Sequence, residues 1–472
     1  MRIIFITPPY TISERYHTKA KINKGYLPPL GLASIATVLK EAGHHIKILD
    51  LQVLNYSLEH IRQELASFSP DLIALSAVTP TIDKAYLLAN FIRQHFDVPL
   101  IFGGVHPTMY PEQTLLECAA VDAVVFGEAE YTFLELVSLL EKGGDVHHLK
   151  DVQGVCYRGK DGKPTKNLPR PRIMNLNELP IASREFFDMD KYIPLPNQYK
   201  VLPVTNMMVG RGCPYGQCTF CFEAGDFKPL YRRVTVDRAI EEIQMLIQKY
   251  GIREISFWDD VFLIGTQWTT DFFKALKREK IDIQWSCYGY FNYLTRDMLK
   301  QAADAGCWNI FFGVESGNQM LLDTIKKGFN LDKTRQVIGW AREAGIETRG
   351  SFILGLPNET PKLAMETINF AIELDLDYAQ FTLNTPFPGT EMWKTGGQYG
   401  TIDTTFKDYS VHNPVYLPKG YSTKEELLAM QKLAYRKFYF RPHYVLKHLK
   451  RIRTFTDVKK YASGLRFLMG MQ

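Results

Sequence analysis

Short runs of β-branched and aliphatic residues alternate with amphipathic stretches twice along this chain, and that alternation limits its fold more than any other feature. The first series of runs covers residues 3–7, 46–51, 72–78, 99–102 and 123–126, separated by segments such as GLASIATVLKEAG and IDKAYLLANFIRQHF. Strands covered on both faces read as such runs, so a doubly wound parallel sheet is expected. A second series starts at Pro203, with strands near 203–210, 253–258, 283–288, 309–314, 348–353 and 378–383. Its strand-helix repeats predict a partial parallel (β/α)6 barrel. The fold class is therefore α/β. The expected organisation is a first domain over 1–145, a linker over 146–195 with a hairpin at GVCYRGKDGKPT, the barrel over 196–400, and a helical, basic segment over 401–472.

In open α/β sheets and in barrels, ligands bind beyond the carboxyl ends of the strands. In the first series those ends carry Thr7-Pro8-Pro9, Gln52, Ser76, Gly103 and Gly104 with His106 close by, then Gly127 and Glu128. Any one such turn is explained by the demand of tight turns for Gly, Ser and Pro. Several on one edge point to a ligand, and Gln52, Ser76, Gly103, Gly104, Gly127 and Glu128 are the candidate binding residues. His44, His45 and His106 read as structural hydrogen-bonders.

After the first strand of the second series comes RGCPYGQCTFC, with Cys213, Cys218 and Cys221 in one short loop. Three thiolates leave one iron of a four-iron, four-sulfur cluster without a protein ligand, and an open iron is a place for a small molecule to bind and receive an electron. A zinc knuckle would need a fourth ligand, and no His or Cys lies within a dozen residues on either side. Later strand ends carry Asp259-Asp260, Glu315-Ser316-Gly317, and Gly355 with Pro357. Taken alone, the aspartates would cap a helix and the glycines would permit turns.

The cysteine loop, followed in order by FWDDVF, FFGVESG, GSFILGLPNET and NTPFPGTEMW, resembles the radical S-adenosylmethionine enzymes over residues 203 to 393. The resemblance implies a [4Fe-4S] cluster on the three cysteines, Asp259-Asp260 at the amino-group contact, Glu315 and Ser316 at the ribose, and Gly355 in a further S-adenosylmethionine-binding segment. One departure is the four residues between Cys213 and Cys218 where the family has three; Gly216 is placed to absorb the extra residue through a positive φ. FGGVHPTMYPE and FGEAEYTF resemble the cobalamin-binding domain that precedes the cluster loop in one subgroup. Where methionine-synthase-like domains carry Asp-x-His-x-x-Gly, this chain has Asp50-Leu51-Gln52-Val53-Leu54-Asn55. Cobalamin bound here would lack a histidine lower ligand, and Gln52 is a poor donor to cobalt. Cys287 and Cys307 read as small core hydrophobes, with a hydrogen-donating role open for Cys287.

Seven cysteines, an odd number with three in one loop, in a chain of 472 residues point to a reducing cytoplasm. The opening MRIIFITPPY reads as a first strand, not as a secretory segment. Residues 431–472 hold eleven Lys or Arg against Asp457, a local +10 within a net +5. In LAYRKFYFRPHYVLKHLKRIRTF, aromatics interleave with bases. A solvated helix face, an anionic membrane surface and nucleic acid all fit this pattern; the first is favoured, nucleic acid is not expected, and the second would place the chain peripherally at the inner membrane surface with a hydrophobic or lipid-like substrate.

The resemblance implies C-methylation of an unactivated carbon of a small molecule through a 5′-deoxyadenosyl radical, with S-adenosylmethionine and cobalamin as cofactors and a flavodoxin- or ferredoxin-like electron donor. A radical cyclase or oxidoreductase with the same cofactors is the first alternative. A non-catalytic iron-sulfur or corrinoid carrier is the alternative of another class.

Overall fold

The computed structural model describes residues 1–19, 24–146, 149–224 and 230–449, together with Ala462 and Gly464. In it the first series of runs becomes Arg2–Thr7 (β1), His45–Asp50 (β2), Leu72–Ser76 (β3), Leu100–Gly103 (β4) and Ala123–Val125 (β5), all parallel. The hairpin expected within 146–195 is Val155–Arg158 (β6) and Pro164–Lys166 (β7), and it extends the same sheet antiparallel at the β5 edge. The order β2-β1-β3-β4-β5-β6-β7 reverses direction between β1 and β3, and a switch point of that kind opens a crevice at the carboxyl ends. One sheet face is sealed by Leu32, Ala36 and Leu39 of the helix Leu30–Glu41 and by Phe133, Leu136 and Val137 of the helix Glu130–Glu141. This unit comprises Met1–Thr11, Pro28–Tyr192 and Thr405–Tyr409.

The second unit comprises Ile12–Leu27, Ile193–Thr404 and Ser410–Gln472. Its main strands are Val204–Met207 (β8), Glu254–Phe257 (β11), Gln284–Gly289 (β12), Cys307–Glu315 (β13), Glu347–Leu354 (β14) and Tyr378–Leu383 (β15), parallel and adjacent in chain order. The run expected over 203–210 stops at Met207; Gly210–Arg211 (β9) turns out of the sheet and pairs antiparallel with Arg232–Arg233 (β10). Thr235, Thr295, Asn318, Asn330 and Thr360 each accept from the backbone N–H three residues on, which fixes where the following helices begin.

Six strands leave β15 as an open edge whose backbone groups need partners. The helices Lys424–Tyr439 and Pro442–Leu449 supply them. Tyr439 Oη accepts from Ala379 N at 3.1 Å and donates to Ala379 O at 2.7 Å, while Tyr435 Oη accepts from Phe381 N at 3.2 Å. Gln431 donates to Phe381 O at 2.8 Å, and Tyr444 to Asp377 O at 2.7 Å. Arg436 and Lys437 face solvent. The aromatic-basic interleaving is thus, up to Tyr439, an edge cap with Arg436 and Lys437 outward; past it Phe440, Val445, Leu446 and Leu449 are exposed, and the basic residues beyond 449 lie outside the described residues. No helix among the described residues is long and apolar enough to cross a membrane.

Tyr439→Phe keeps the ring and strands two backbone groups of Ala379. A loss of about 1–3 kcal/mol is expected. All six tryptophans lie in the second unit, so urea unfolding followed by tryptophan fluorescence reads that unit. An unchanged midpoint would contradict the edge-cap role.

Candidate functional site

The cysteine loop is tied down at several points. Its base is the β9–β10 ribbon, where Gly212 has φ 86° and a Cβ would sit 2.5 Å from Leu230 O. Inside the loop Cys221 N donates to Cys218 O at 3.0 Å, Thr219 N to Ile325 O at 3.1 Å, and Met392 N to Thr219 O at 2.8 Å. The longer first spacing has a physical role. Gly216 takes φ 54° and its N–H donates to Cys213 Sγ at 3.4 Å. Tyr215 stacks on Tyr290 at 4.9 Å and donates to Lys326 O at 2.8 Å, lying so close over Gly328 that a Cβ there would meet its ring.

Burial pushes all three thiols up, Cys221 to about 12, so a bound cation is what would hold them as thiolates. Among the described residues no three His, Cys, Asp or Glu converge on a single ion. A cluster does not ask for that, because each thiolate binds its own iron. The donor set, with N–H···S support from Gly216, fits a cluster with one open iron.

Around the loop stand the ends of β11 and β13. Asp259 is 2% exposed, accepts from Val209 N at 3.2 Å, and is pushed to about 7 by burial against the pull of Arg233. Its Oδ1 has no hydrogen-bond partner among the described residues. Asp260 faces solvent, within electrostatic reach of Cys213 and Cys221. A register shift between Gly313 and Glu315 turns Glu315 to φ 65°. That turn brings its carboxylate to Lys327 Nζ at 2.7 Å, both side chains being buried. A Cβ on Gly313 would fall 2.2 Å from Glu315 Oε1 and 2.9 Å from Lys327 Nζ, so any side chain there would displace the pair.

Burial works against the Lys327 charge, but Glu315 foremost, and Cys218 and Cys221 when ionised, outweigh it and raise its pKa. Lys327 was not among the residues singled out from sequence; Lys326-Lys327-Gly328 offers no cue to which lysine turns inward.

Ser316, expected at the ribose, is wholly buried: its hydroxyl pairs with Thr367 Oγ1 at 3.0 Å and accepts from Asn318 N at 3.1 Å, which sets the turn after β13. Gly355, at φ 81°, donates its N–H to Glu359 Oε1 at 2.6 Å, and Tyr421 donates to the same oxygen at 2.9 Å, so that its loop is fixed. Cys287 lies beside Cys307 in the core, where burial holds its thiol well up.

In the first unit, Ser76 ends β3 and Gly103 ends β4. Gly104 has φ 97°, and a Cβ there would sit 2.5 Å from Ala77 O and 3.0 Å from Ser76 Oγ, so these turns touch backbone to backbone. Gly127, at φ 83°, has open space where a Cβ would be. Gln52 lies half-buried in the turn after β2, its N–H on Asp50 Oδ1 at 3.2 Å. Glu128 accepts from Ile173 N at 2.7 Å. His106 is 1% exposed, paired with Thr79 Oγ1 at 3.1 Å, and lowered by burial to about 4, which suits a neutral structural ring. Of these glycines, Gly104 serves the packing of the turns themselves, while Gly127 leaves open space where a ligand could approach backbone, and no imidazole is offered to a metal from Gln52's turn.

Residues 23–137 match the B12 binding domain model and residues 207–371 the radical SAM superfamily model. An uncharacterized methyltransferase of Pyrococcus horikoshii is 35% identical over 95% of both chains. The anaerobic magnesium-protoporphyrin IX monomethyl ester cyclase of Rubrivivax gelatinosus is 27% identical over 93% of this chain and 77% of its own. Among solved structures, the radical S-adenosylmethionine methyltransferase TsrM from Kitasatospora setae, with cobalamin and a [4Fe-4S] cluster bound, matches with a TM-score of 0.70 at 16% identity, over 94% of this chain and 89% of that one.

Proposed function

The chain belongs to the radical SAM superfamily, with a B12 binding domain ahead of the barrel, and from that premise we propose that it is a cobalamin-dependent C-methyltransferase acting on an unactivated carbon of a small molecule. The observation that carries this reading is the match to a methyltransferase along the whole length, both domains included. When bound, the cluster supplies the electron that cleaves the sulfonium and cobalamin supplies the methyl group. Cys213, Cys218 and Cys221 hold the cluster. Asp260 faces the substrate's ammonium, Lys327 offers a cation to its carboxylate, and Glu315, oriented by Lys327 and by the Ser316 turn, accepts from the ribose hydroxyls. Gly355 shapes the adenine side, with its loop pinned by Glu359. Ser76, Gly103, Gly104 and Gly127 form the rim that takes cobalamin, beside Gln52; Glu128 braces that rim through Ile173.

Radical cyclisation is the second reading, favoured by the match to a cyclase. By-product counting separates the two. Methylation uses S-adenosylmethionine twice, so each product molecule should accompany one 5′-deoxyadenosine and one S-adenosylhomocysteine. Product with deoxyadenosine alone would replace methylation by cyclisation or oxidation.

A further inference from the structure

A row of side chains lies across the barrel sheet on the face turned away from its helices. Strand alternation sends Ile310, Phe312 and Phe352 to the helix-packed core, and leaves Phe311 and Arg349 on the other face. Register puts Tyr288 opposite Phe311, Phe311 opposite Arg349, and Arg349 opposite Tyr378, so the four are neighbours on one face of four successive strands. The Arg349 guanidinium stands 4.8 Å over the Phe311 ring, and Tyr288 meets that ring edge-on at 5.3 Å. Tyr16, from the segment Ile12–Leu27 of the same unit, is within electrostatic reach of Arg349.

What this cation lacks is an acid. Its hydrogen bond among the described residues is one contact to Asn197 O at 3.4 Å, and no carboxylate there pairs with it; the titratable groups within electrostatic reach of it are the phenols of Tyr288, Tyr16, Tyr378 and Tyr439. Arg349 is half-buried, and beyond the Phe311 ring and the Asn197 carbonyl its guanidinium donors are left to water or to a ligand. Such a fork is shaped for two oxygens of one anion. On β14 the partners of Phe311 and Glu315, Arg349 and Phe352, are three residues apart, about 10 Å along the strand. The row is therefore a level of the sheet distinct from the strand ends that carry the cysteine loop and Glu315.

We propose that Arg349, flanked by Tyr288, Phe311 and Tyr378, is the recognition site for a carboxylate carried on a flat apolar substrate. The inference rests on the proposed reaction only in taking this sheet face as the side where substrate lies. Binding, without turnover, tests it separately. Benzoate and its neutral isostere benzamide are titrated against the reconstituted full chain by ligand-observed NMR, with S-adenosylmethionine affinity measured alongside.

The wild-type chain should bind benzoate at least tenfold more tightly than benzamide. Arg349→Gln should bring the two within twofold of each other, Arg349→Lys should keep part of the preference, and both variants should bind S-adenosylmethionine as the wild type does. Equal affinity for the two probes in the wild type would overturn the proposal without recourse to a variant. So would a preference that survives Arg349→Gln, or a tenfold loss of S-adenosylmethionine affinity, which would assign Arg349 to that carboxylate instead. A chain that discriminates the probes but transfers no methyl group would keep this site and lose the proposed reaction.

Discussion

Replacing Cys213, Cys218 and Cys221 together by alanine is expected to abolish iron loading and, with it, all reductive cleavage of S-adenosylmethionine. The loop holds no alternative donor: no His or Cys lies within a dozen residues on either side, and the nearby Asp260 and Glu315 are hard oxygen ligands at a site built for soft sulfur. Single replacements should also fail, because two thiolates leave two irons open and the cluster unsupported. The folded chain should survive. The loop is anchored through backbone bonds to Ile325 and Met392 and through the Tyr215 ring, none of which uses a thiol. Iron and sulfide analysis, with tryptophan fluorescence as the folding control, reads both. Four irons per chain in the triple variant would remove the foundation of the site.

Lys327→Met should have the largest effect on stability. It leaves Glu315, 5% exposed, as a buried carboxylate without its partner. Breaking one side of such a pair costs about 3–5 kcal/mol, whereas removing both charges costs far less. Urea unfolding read by tryptophan should therefore show a large loss for Lys327→Met and recovery of most of it in Lys327→Met/Glu315→Gln. S-adenosylmethionine affinity should fall at least tenfold in both. Recovery of binding in the double variant would mean that the pair serves the fold alone.

Much of this was legible because of how parallel sheets are built. Strands covered on both faces announce themselves as β-branched runs, and the runs at 46–51, 72–78, 348–353 and 378–383 fell within a residue or two of β2, β3, β14 and β15. Local signals also sufficed for the cysteine loop, whose donors are neighbours in sequence.

What escaped depended on contacts between distant segments. The Glu315–Lys327 pair exists because a bulge turns Glu315 to positive φ, a conformation that a glutamate does not advertise. The hydroxyl of Ser316 is claimed by Thr367, fifty-one residues away in sequence. The spacing of Tyr435 and Tyr439 showed a helix face, yet not that the edge of β15 was waiting for phenols. Arg349 sits in a strand that reads as ordinary, and only the register with Phe311 and Tyr378 gives it meaning.

The central claim is that one carbon of a small molecule receives a methyl group that began on S-adenosylmethionine. The most direct measurement is the product mass after the reconstituted chain, with cobalamin and a reductant, turns over extract from a deletion strain in the presence of trideuteromethyl S-adenosylmethionine. The account predicts a product heavier than its substrate by one trideuteromethyl group in place of one hydrogen. A product formed with 5′-deoxyadenosine but without deuterium would contradict it.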